Sequence, residues 1–299
     1  MSFELGRATV EKDVARVRMI SSAFRKTGRP VALVPLGAGV HAGHIALVRA
    51  AKAHRGAIVV VALHTVTPED QELLAAEGVD VVYHYGAAEG GTHAADGGGG
   101  AAEGRVTRTL VVPPDHGLSS VDDRAEELTR VLALIGAVTP TDVLMGEKDY
   151  ELLLDTNAAV HDLNLAVRIQ GVPTVRMPDG VPVSLRNACV APADRGAAEA
   201  LSAALTAGAH AAESGAAAVI EVARSVLDAA GVVPDYLEVR GRDLGPAPEQ
   251  GDARLLVAAT IGGVRLMDNV GLPLGIGFRN LEEYQSQQEA ARHAARGEN

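Results

Sequence analysis

The sequence is poor in cysteine and in aromatic side chains. Its 299 residues include one cysteine, three phenylalanines and no tryptophan, and the aromatic share is 3%. A single cysteine, Cys189, excludes an internal disulfide bond and is typical of a reducing compartment. The hydrophobic core must therefore be built from valine, leucine, isoleucine and alanine.

Long apolar runs and an excess of positive charge are also missing. No segment approaches the length of a membrane span, and the charged stretch Met1–Arg18 does not resemble a signal peptide. The net charge of −11 argues against nucleic acid or an anionic membrane as a general partner. Hydrophobic residues make up 47% of the chain, so we predict a globular, soluble, cytoplasmic protein.

The rest of the sequence is organised around the stretch 31–52. Val31–Pro35 is an apolar strand candidate, a loop with Gly37 and Gly39 follows, and the next residues have the spacing of an amphipathic helix. A strand, a glycine-bearing turn and a helix N-terminus together favour anion binding. His41 and His44 lie where the loop becomes the helix, so we predict a phosphate site there.

Strand and helix patterns alternate through the N-terminal part, which predicts a Rossmann-like α/β domain with a parallel sheet. A helix over Val10–Lys26 is expected to precede the first strand. The expected later strands are Ala57–Leu63, Val79–Tyr83, Thr107–Val112 and Asp142–Met145, followed by short extended segments at Val167–Ile169 and Val172–Val175. The expected later helices begin at Thr67 as N-cap, at Ser120 and at Leu152.

Two further segments complete the predicted organisation. Gly86–Gly104 is glycine-rich and of low complexity, and we interpret it as a surface insertion in preference to a lid. Beyond Asn187 come an alanine-rich helical stretch, divided near Ser214-Gly215, and strands joined by a Gly262-Gly263 hairpin. We therefore predict a Rossmann-like ATP-binding domain over 1–187 and a small α+β lid domain over 188–299.

Three polar motifs are expected to converge on the phosphate site: HAGH at 41–44, GEKDY at 146–150 and VSLRN at 183–187. The two histidines donate to phosphate oxygens in this hypothesis, and Lys148 supplies a positive charge. Asp149 accepts from ribose hydroxyls, as acidic residues do in other nucleotide folds. Ser184 and Arg186 close over the terminal phosphates.

These motifs resemble those of the pantothenate synthetase (pantoate–β-alanine ligase) family, whose nucleotide site is shared with class I aminoacyl-tRNA synthetases. The resemblance runs from about Thr27 to Asn269 and is densest in VPLGAGVHAGHIALVRAAK, VLMGEKDY, DLNLAVRIQGVPTVRMPDG, VSLRN, DYLEVR and LLVAA. It implies a Rossmann-like domain with a smaller C-terminal lid, usually in a homodimer. It also implies formation of an acyl-adenylate from a carboxylic acid and ATP with Mg²⁺, and acyl transfer to an amine.

The resemblance assigns roles residue by residue. His41 and His44 match the HxGH phosphate ligands, and Gly43 lies between them in that motif. Gly146, Lys148 and Asp149 match ribose and phosphate contacts, Val172 matches the backbone that contacts adenine, and Ser184 and Arg186 match the mobile phosphate loop. His41, His44, Lys148 and Arg186 are the catalytic candidates.

The sequence departs from the family where the acid binds. The Phe-x-x-Asn-Pro-x-Gln-Phe segment after the second strand is missing, and His64–Pro68 stands in its place. The second glutamine position is Leu152, the methionine before HxGH is Gly37, and the second serine of the phosphate loop is Leu185. The family's His-Phe-x-Gly-Val is also absent. Lost amides weaken recognition of a polar acid, so pantoate is doubtful as substrate.

Four hypotheses follow. The first is an ATP-dependent carboxylate–amine ligase that uses an acid other than pantoate. The second is a true pantoate–β-alanine ligase. The third is a nucleotide-binding protein that has lost catalysis, and the fourth is a nucleotidyltransferase, because the wider superfamily shares HxGH. The first accounts best for a retained nucleotide half and a changed acid half.

Overall fold

The computed structural model describes residues 4–87 and 109–277. Most of the predicted insertion Gly86–Gly104 and the polar tail from Glu282 lie outside the described residues. The chain divides into two compact units, one from Met1–Met177 with Val183–Leu185 and the other from Pro178–Pro182 with Arg186–Asn299. The predicted domain limits of 1–187 and 188–299 stay a prediction.

The first unit contains a six-stranded parallel sheet in the order β1-β4-β3-β2-β5-β6. The strands are β1 (Thr9–Glu11), β2 (Val31–Pro35), β3 (Ile58–Leu63), β4 (Val81–His84), β5 (Asp142–Gly146) and β6 (Arg168–Val172). Their helices are α1 (Val14–Lys26), α2 (Ala42–Lys52), α3 (Pro68–Ala76), α4 (Val121–Val138) and α5 (Tyr150–Asp162). The predicted α/β Rossmann-like class is confirmed.

The apolar strands form the core of this unit, and polar residues begin its helices. All six residues of β3 are buried, as are the first four of β2. Thr67 and Asp70 form a reciprocal capping box at the start of α3, with Pro68 in the first turn. Ser120 accepts from the backbone of Asp123 and starts α4.

The strand order determines where a ligand can bind. Because β2 pairs with β3 on one side and with β5 on the other, the chain order reverses between β2 and β5. Open α/β sheets bind ligands in the crevice at the carboxyl ends of the strands where this reversal occurs. The loops after β2 and β5 carry the HAGH and GEKDY motifs.

Three details of the predicted elements are wrong. The expected helix Val10–Lys26 starts later, at Val14, because Thr9–Glu11 pairs with β4 and Asp13 caps the helix. Residues 109–112 of the expected strand Thr107–Val112 are not in a strand, and 107–108 are outside the described part. In place of the two expected segments around Gly171 there is one strand, β6, which runs through that glycine and ends at Val172, so residues 173–175 are not in a strand.

The second unit has an antiparallel sheet of β7 (Tyr236–Gly241), β8 (Gly251–Ile261) and β9 (Val264–Leu274). Its helices are α6 (Leu185–Ala188, which starts one residue before the unit), α7 (Arg195–His210) and α8 (Ala216–Ala229). Gly262 and Gly263 both have positive φ and connect β8 to β9, as the hairpin prediction required. Alanines and leucines of α7 and α8 pack against the apolar face of β8. No helix among the described residues is long and apolar enough to cross a bilayer.

Candidate active site

The two histidines of HAGH stack at the start of α2. His41 is the N-cap residue, and its Nδ1 accepts a hydrogen bond of 3.1 Å from the backbone N–H of Gly43. His44 lies in the first turn, and its Nδ1 donates to the carbonyl oxygen of Gly39 over 3.1 Å. The ring centroids are 3.6 Å apart with an interplanar angle of 22°. The spacing of the motif therefore places both imidazoles at one helix N-terminus.

Gly43 permits this close packing because it has no side chain. A Cβ at this position would lie 2.9 Å from Cε1 of His41 and 3.3 Å from the carbonyl oxygen of Val183. Val183 begins the VSLRN motif, and the side chain of Leu185 lies 3.8 Å from where a Cβ on Gly39 would be. Val183 and Leu185 of the VSLRN motif thus lie against the glycine loop and the start of α2.

Burial and neighbouring charges keep both imidazoles neutral. Burial, and after it the adjacent His41, lower the pKa of His44 to about 4, against opposing effects from Gly39, Asp149 and Asp70. The pKa of His41 is lowered by burial and then by the positive charge of Lys148. Both rings are therefore uncharged at neutral pH, and the positive charge of the site comes from Lys148.

The loop after β5 brings the second motif to the same place. Gly146 ends β5 and pairs with Val172 at the end of β6. The Nζ atom of Lys148 lies 3.7 Å from Oδ1 of Asp149, and the lysine side chain is only 14% exposed whereas the aspartate is 59% exposed. A partly buried cation beside an exposed carboxylate suits contacts to a phosphate and to a sugar hydroxyl, respectively.

Asp70 is a residue of this site that the sequence analysis did not single out. Its Oδ1 accepts from the backbone N–H of Val40 over 2.8 Å, and its Oδ2 accepts from the N–H and hydroxyl of Thr67. The buried carboxylate thus ties the glycine loop to the start of α3. The Thr-Pro-Glu-Asp cap was visible in the sequence, but the bond to Val40 is a long-range contact.

The carboxyl end of β2 also meets a buried arginine. The hydroxyl of Tyr85 donates to the carbonyl oxygen of Leu36 over 2.9 Å. Nη1 of Arg130, on α4, donates to the same carbonyl and to the tyrosine oxygen, at 3.2 and 3.3 Å. The other side of the guanidinium pairs with Glu127. Arg130 thus has partners on both edges, which is typical of a structural arginine.

A buried ionic cluster occupies the first turns of α5 and the start of α4. Arg124 Nη1 lies 2.5 Å from Oδ2 of Asp155, and its Nε lies 3.5 Å from Oε1 of Glu151. His116 Nε2 lies 3.0 Å from the other oxygen of Asp155. The arginine and both carboxylates are less than one-tenth exposed. Glu151 of this cluster directly precedes Leu152, which holds the position of the family's second glutamine.

Eight of the nine predicted site residues belong to the first unit: His41, Gly43, His44, Gly146, Lys148, Asp149, Val172 and Ser184. Arg186 belongs to the second unit, where it lies in a short four-residue helix. Its contribution to the site stays a prediction. The ligand roles of the other eight stay predictions as well.

The residues of the site do not form a protein cage for a metal ion. The described part of the chain has no group of three or more histidine, cysteine, aspartate or glutamate side chains that could hold one. Imidazoles and a lysine are poor ligands for Mg²⁺, which prefers oxygen. Magnesium would therefore be held chiefly by the phosphates of a nucleotide.

Fold and site define an α/β nucleotide-binding protein of the HxGH type, and comparison with known proteins gives the family. The model of the family described as "Pantoate-beta-alanine ligase" matches residues 9–69 and 64–271. Pantothenate synthetase of Corynebacterium jeikeium is 41% identical over 306 residues, covering 95% of this chain and 96% of the relative. That of Mycobacterium avium is 40% identical over 296 residues, covering 91% and 92%.

A solved structure agrees with these sequence relatives. Pantothenate synthetase from Thermus thermophilus superimposes with a TM-score of 0.72 at 27% identity, covering 88% of this chain and 98% of the other. The chain belongs to the pantoate–β-alanine ligase family. It is accordingly an ATP-dependent, AMP-forming ligase that makes a carbon–nitrogen bond.

Proposed function

We propose that the protein activates a carboxylic acid other than pantoate as an acyl-adenylate and transfers the acyl group to an amine. The observation that supports this most is a contrast within the first unit. The histidine pair, Lys148 and Asp149 are retained and adjacent, whereas the acid-binding positions are changed.

The nucleotide side supplies the adenylation chemistry in this proposal. His41 and Lys148 donate to phosphate oxygens, and Asp149 accepts from a ribose hydroxyl. Ser184 and Arg186 close over the terminal phosphates, and Mg²⁺ arrives with the nucleotide. The acid's carboxylate attacks the α-phosphate in line, and the bond to pyrophosphate breaks as charge on it is neutralised. The amine then attacks the mixed anhydride and AMP leaves.

The acid side argues against ordinary recognition of pantoate. The family's glutamine segment corresponds to His64–Pro68, which here ends in the N-cap of α3. The second glutamine corresponds to Leu152, whose side chain offers no hydrogen bond. Loss of a side chain that hydrogen-bonds a substrate hydroxyl or carboxylate costs about 1 to 3 kcal/mol per group. Two such losses lower the preference for pantoate over other acids by a factor of about 10² or more.

The lid role of residues 188–299 and assembly into a homodimer are also proposals, supported by the family resemblance. Light scattering at several protein concentrations tests the dimer, because a dimer gives twice the mass of a 30.8 kDa chain. Small-angle scattering with and without ATP tests closure of the lid.

The deciding experiment is ATP–pyrophosphate exchange with a panel of hydroxy, branched-chain and amino acids that includes pantoate. We expect exchange with at least one acid at a rate at least tenfold above that with pantoate, and AMP formation when an amine is added. Exchange that is fastest with pantoate would contradict the changed acid. No exchange with any acid would contradict adenylation.

The second candidate is pantoate–β-alanine ligase itself. The observation in its favour is that relatives 40 to 41% identical over more than nine-tenths of the chain carry the name pantothenate synthetase. Mass spectrometry of a reaction with ATP, pantoate and β-alanine separates the candidates, since only this one makes pantothenate efficiently. Growth of a pantothenate auxotroph that carries this chain would point the same way.

A further inference from the structure

We propose that His44 takes up a proton when a nucleoside triphosphate binds, so that its Nε2 changes from a hydrogen-bond acceptor to a donor. The inference rests on the proposed nucleotide site. The question is which of the two stacked rings can donate a hydrogen bond to a phosphate while the ring is still neutral. The hydrogen bond that each ring makes at Nδ1 answers it.

The hydrogen bond at His41 fixes its tautomer. A backbone N–H can only donate, so Nδ1 of His41, which contacts the N–H of Gly43 at 3.1 Å, must carry a lone pair. The proton of the neutral ring is therefore on Nε2. His41 presents a donor to an anion without any change of charge.

The hydrogen bond at His44 fixes the opposite tautomer. A carbonyl oxygen can only accept, so Nδ1 of His44, 3.1 Å from the oxygen of Gly39, must carry the proton. The Nε2 atom of the neutral ring then has no proton and carries a lone pair. The stacked pair thus consists of one ring with a donor at Nε2 and one with an acceptor there.

This difference matters because the two rings are stacked, so that one bound anion would meet both of them. Their centroids are 3.6 Å apart, so an anion in contact with one ring lies beside the other. A phosphate oxygen has no proton to offer at neutral pH and repels the lone pair of His44. Protonation of Nε2 removes the repulsion and supplies a second donor, while the bond from Nδ1 to Gly39 is kept.

Burial is the main reason why the ring of His44 is neutral without a ligand, and the adjacent His41 lowers its pKa in the same direction. The Gly39 carbonyl and the carboxylates of Asp149 and Asp70 oppose this and raise the pKa, while Lys148 acts on His41. The positive end of the α2 dipole also disfavours a cation there. With a pKa of about 4, His44 is neutral above about pH 5. A bound polyanion reverses this balance and raises its pKa.

The direction of the pH effect follows from linkage. Since the complex binds one proton more than the free protein, nucleotide affinity falls as pH rises from the pKa of free His44, about 4, toward the higher pKa of the complex. Between these two pKa values the fall approaches about tenfold per pH unit, and above the pKa of the complex the affinity no longer changes. The proton comes from solvent, and no bond of the nucleotide breaks.

The test is calorimetric titration with a non-hydrolysable ATP analogue at about pH 6 in two buffers of different ionisation enthalpy. We expect the protein to take up close to one proton more than the His44→Gln variant, whose amide supplies a permanent donor near the position of Nε2. His44→Asn retains a donor only toward Gly39, so it should bind at least tenfold more weakly and also lack the excess uptake. His161→Gln, at an exposed histidine in the last turn of α5, is the matched control and should keep the uptake.

The outcomes separate this inference from the proposed function. Equal proton uptake by wild type and His44→Gln would overturn the inference even if the analogue binds well. Failure of the analogue to bind would overturn both. Proton-linked binding without acid-dependent pyrophosphate exchange would support the inference and contradict the proposed function. Nitrogen NMR of His44 gives a second measure, because Nε2 must move from the unprotonated to the protonated shift range on binding.

Discussion

The histidine pair and the ionic cluster around Arg124 hold polar side chains in two different ways. His41 and His44 are bonded to backbone groups of their own loop, and burial keeps both rings neutral. Arg124, Asp155 and Glu151 are charged and bonded to one another across α4 and α5. The first arrangement leaves one ring nitrogen of each histidine for a ligand, whereas the second uses its charges internally.

This difference bears on the proposal that the chain uses an acid other than pantoate. The nucleotide side depends on short-range geometry within a loop and a helix start, so few substitutions are compatible with it. The four variants below test whether the two regions are separable, in order of decreasing effect.

Breaking the ionic cluster should have the largest effect, on stability. Asp155→Leu leaves the Arg124 guanidinium buried without its main partner, which costs about 3 to 5 kcal/mol. Urea unfolding monitored by circular dichroism measures the loss. The double variant Arg124→Met with Asp155→Leu should recover a large part, because no buried charge of that pair remains. A loss below about 1 kcal/mol in the single variant would show that Asp155 is not needed to stabilise the buried guanidinium of Arg124.

Removing the cation of the nucleotide side should affect activity and leave stability nearly unchanged. Lys148→Ala is expected to slow ATP–pyrophosphate exchange about 10²-fold, as loss of a charge contact in the transition state does. The matched control is Lys26→Ala, an exposed lysine in the last turn of α1, which should leave the rate unchanged. A Lys148→Ala rate within about twofold of wild type would refute its role.

Adding one methyl group to the helix start should have an intermediate effect. In Gly43→Ala the new Cβ meets His41 and Val183, so the stacked pair must shift. We expect a loss of about 1 to 3 kcal/mol in nucleotide binding, measured by calorimetry. Gly136→Ala in α4 is the control, since its Cβ would meet nothing within 4 Å. Equal affinity in both variants would show that the packing of Gly43 is not critical.

The smallest effect is expected at the cap of α3. Thr67→Ala removes the capping hydroxyl and should lower the free energy of unfolding by about 1 kcal/mol. Because Thr67 also bonds Asp70, which holds Val40, the KM for ATP should rise as well. Ser120→Ala removes a comparable cap from α4 and should change stability alone. A KM change of similar size in both variants would argue against coupling through Asp70.

Local patterns were sufficient to predict much of the fold and the core of the site. Apolar runs located β2, β3 and β5, and the HAGH spacing located the histidine pair. The three-residue strand β1 was missed because Val10 and Val14 have helical spacing, while pairing of Thr9 with Val81 is a long-range event. Likewise the tautomers of His41 and His44 depend on loop geometry, and the contacts of Asp70 and Arg124 join segments about 30 residues apart.

The bond between Asp70 and Val40 has a practical consequence for redesign. The segment that differs from the family, His64–Pro68, runs directly into the cap whose carboxylate holds the nucleotide loop in register. A chimera that transplants the family's glutamine segment into this chain must therefore retain Thr67 and Asp70 or supply equivalents. Without them, a graft meant to add pantoate recognition would also displace the loop proposed to bind the nucleotide.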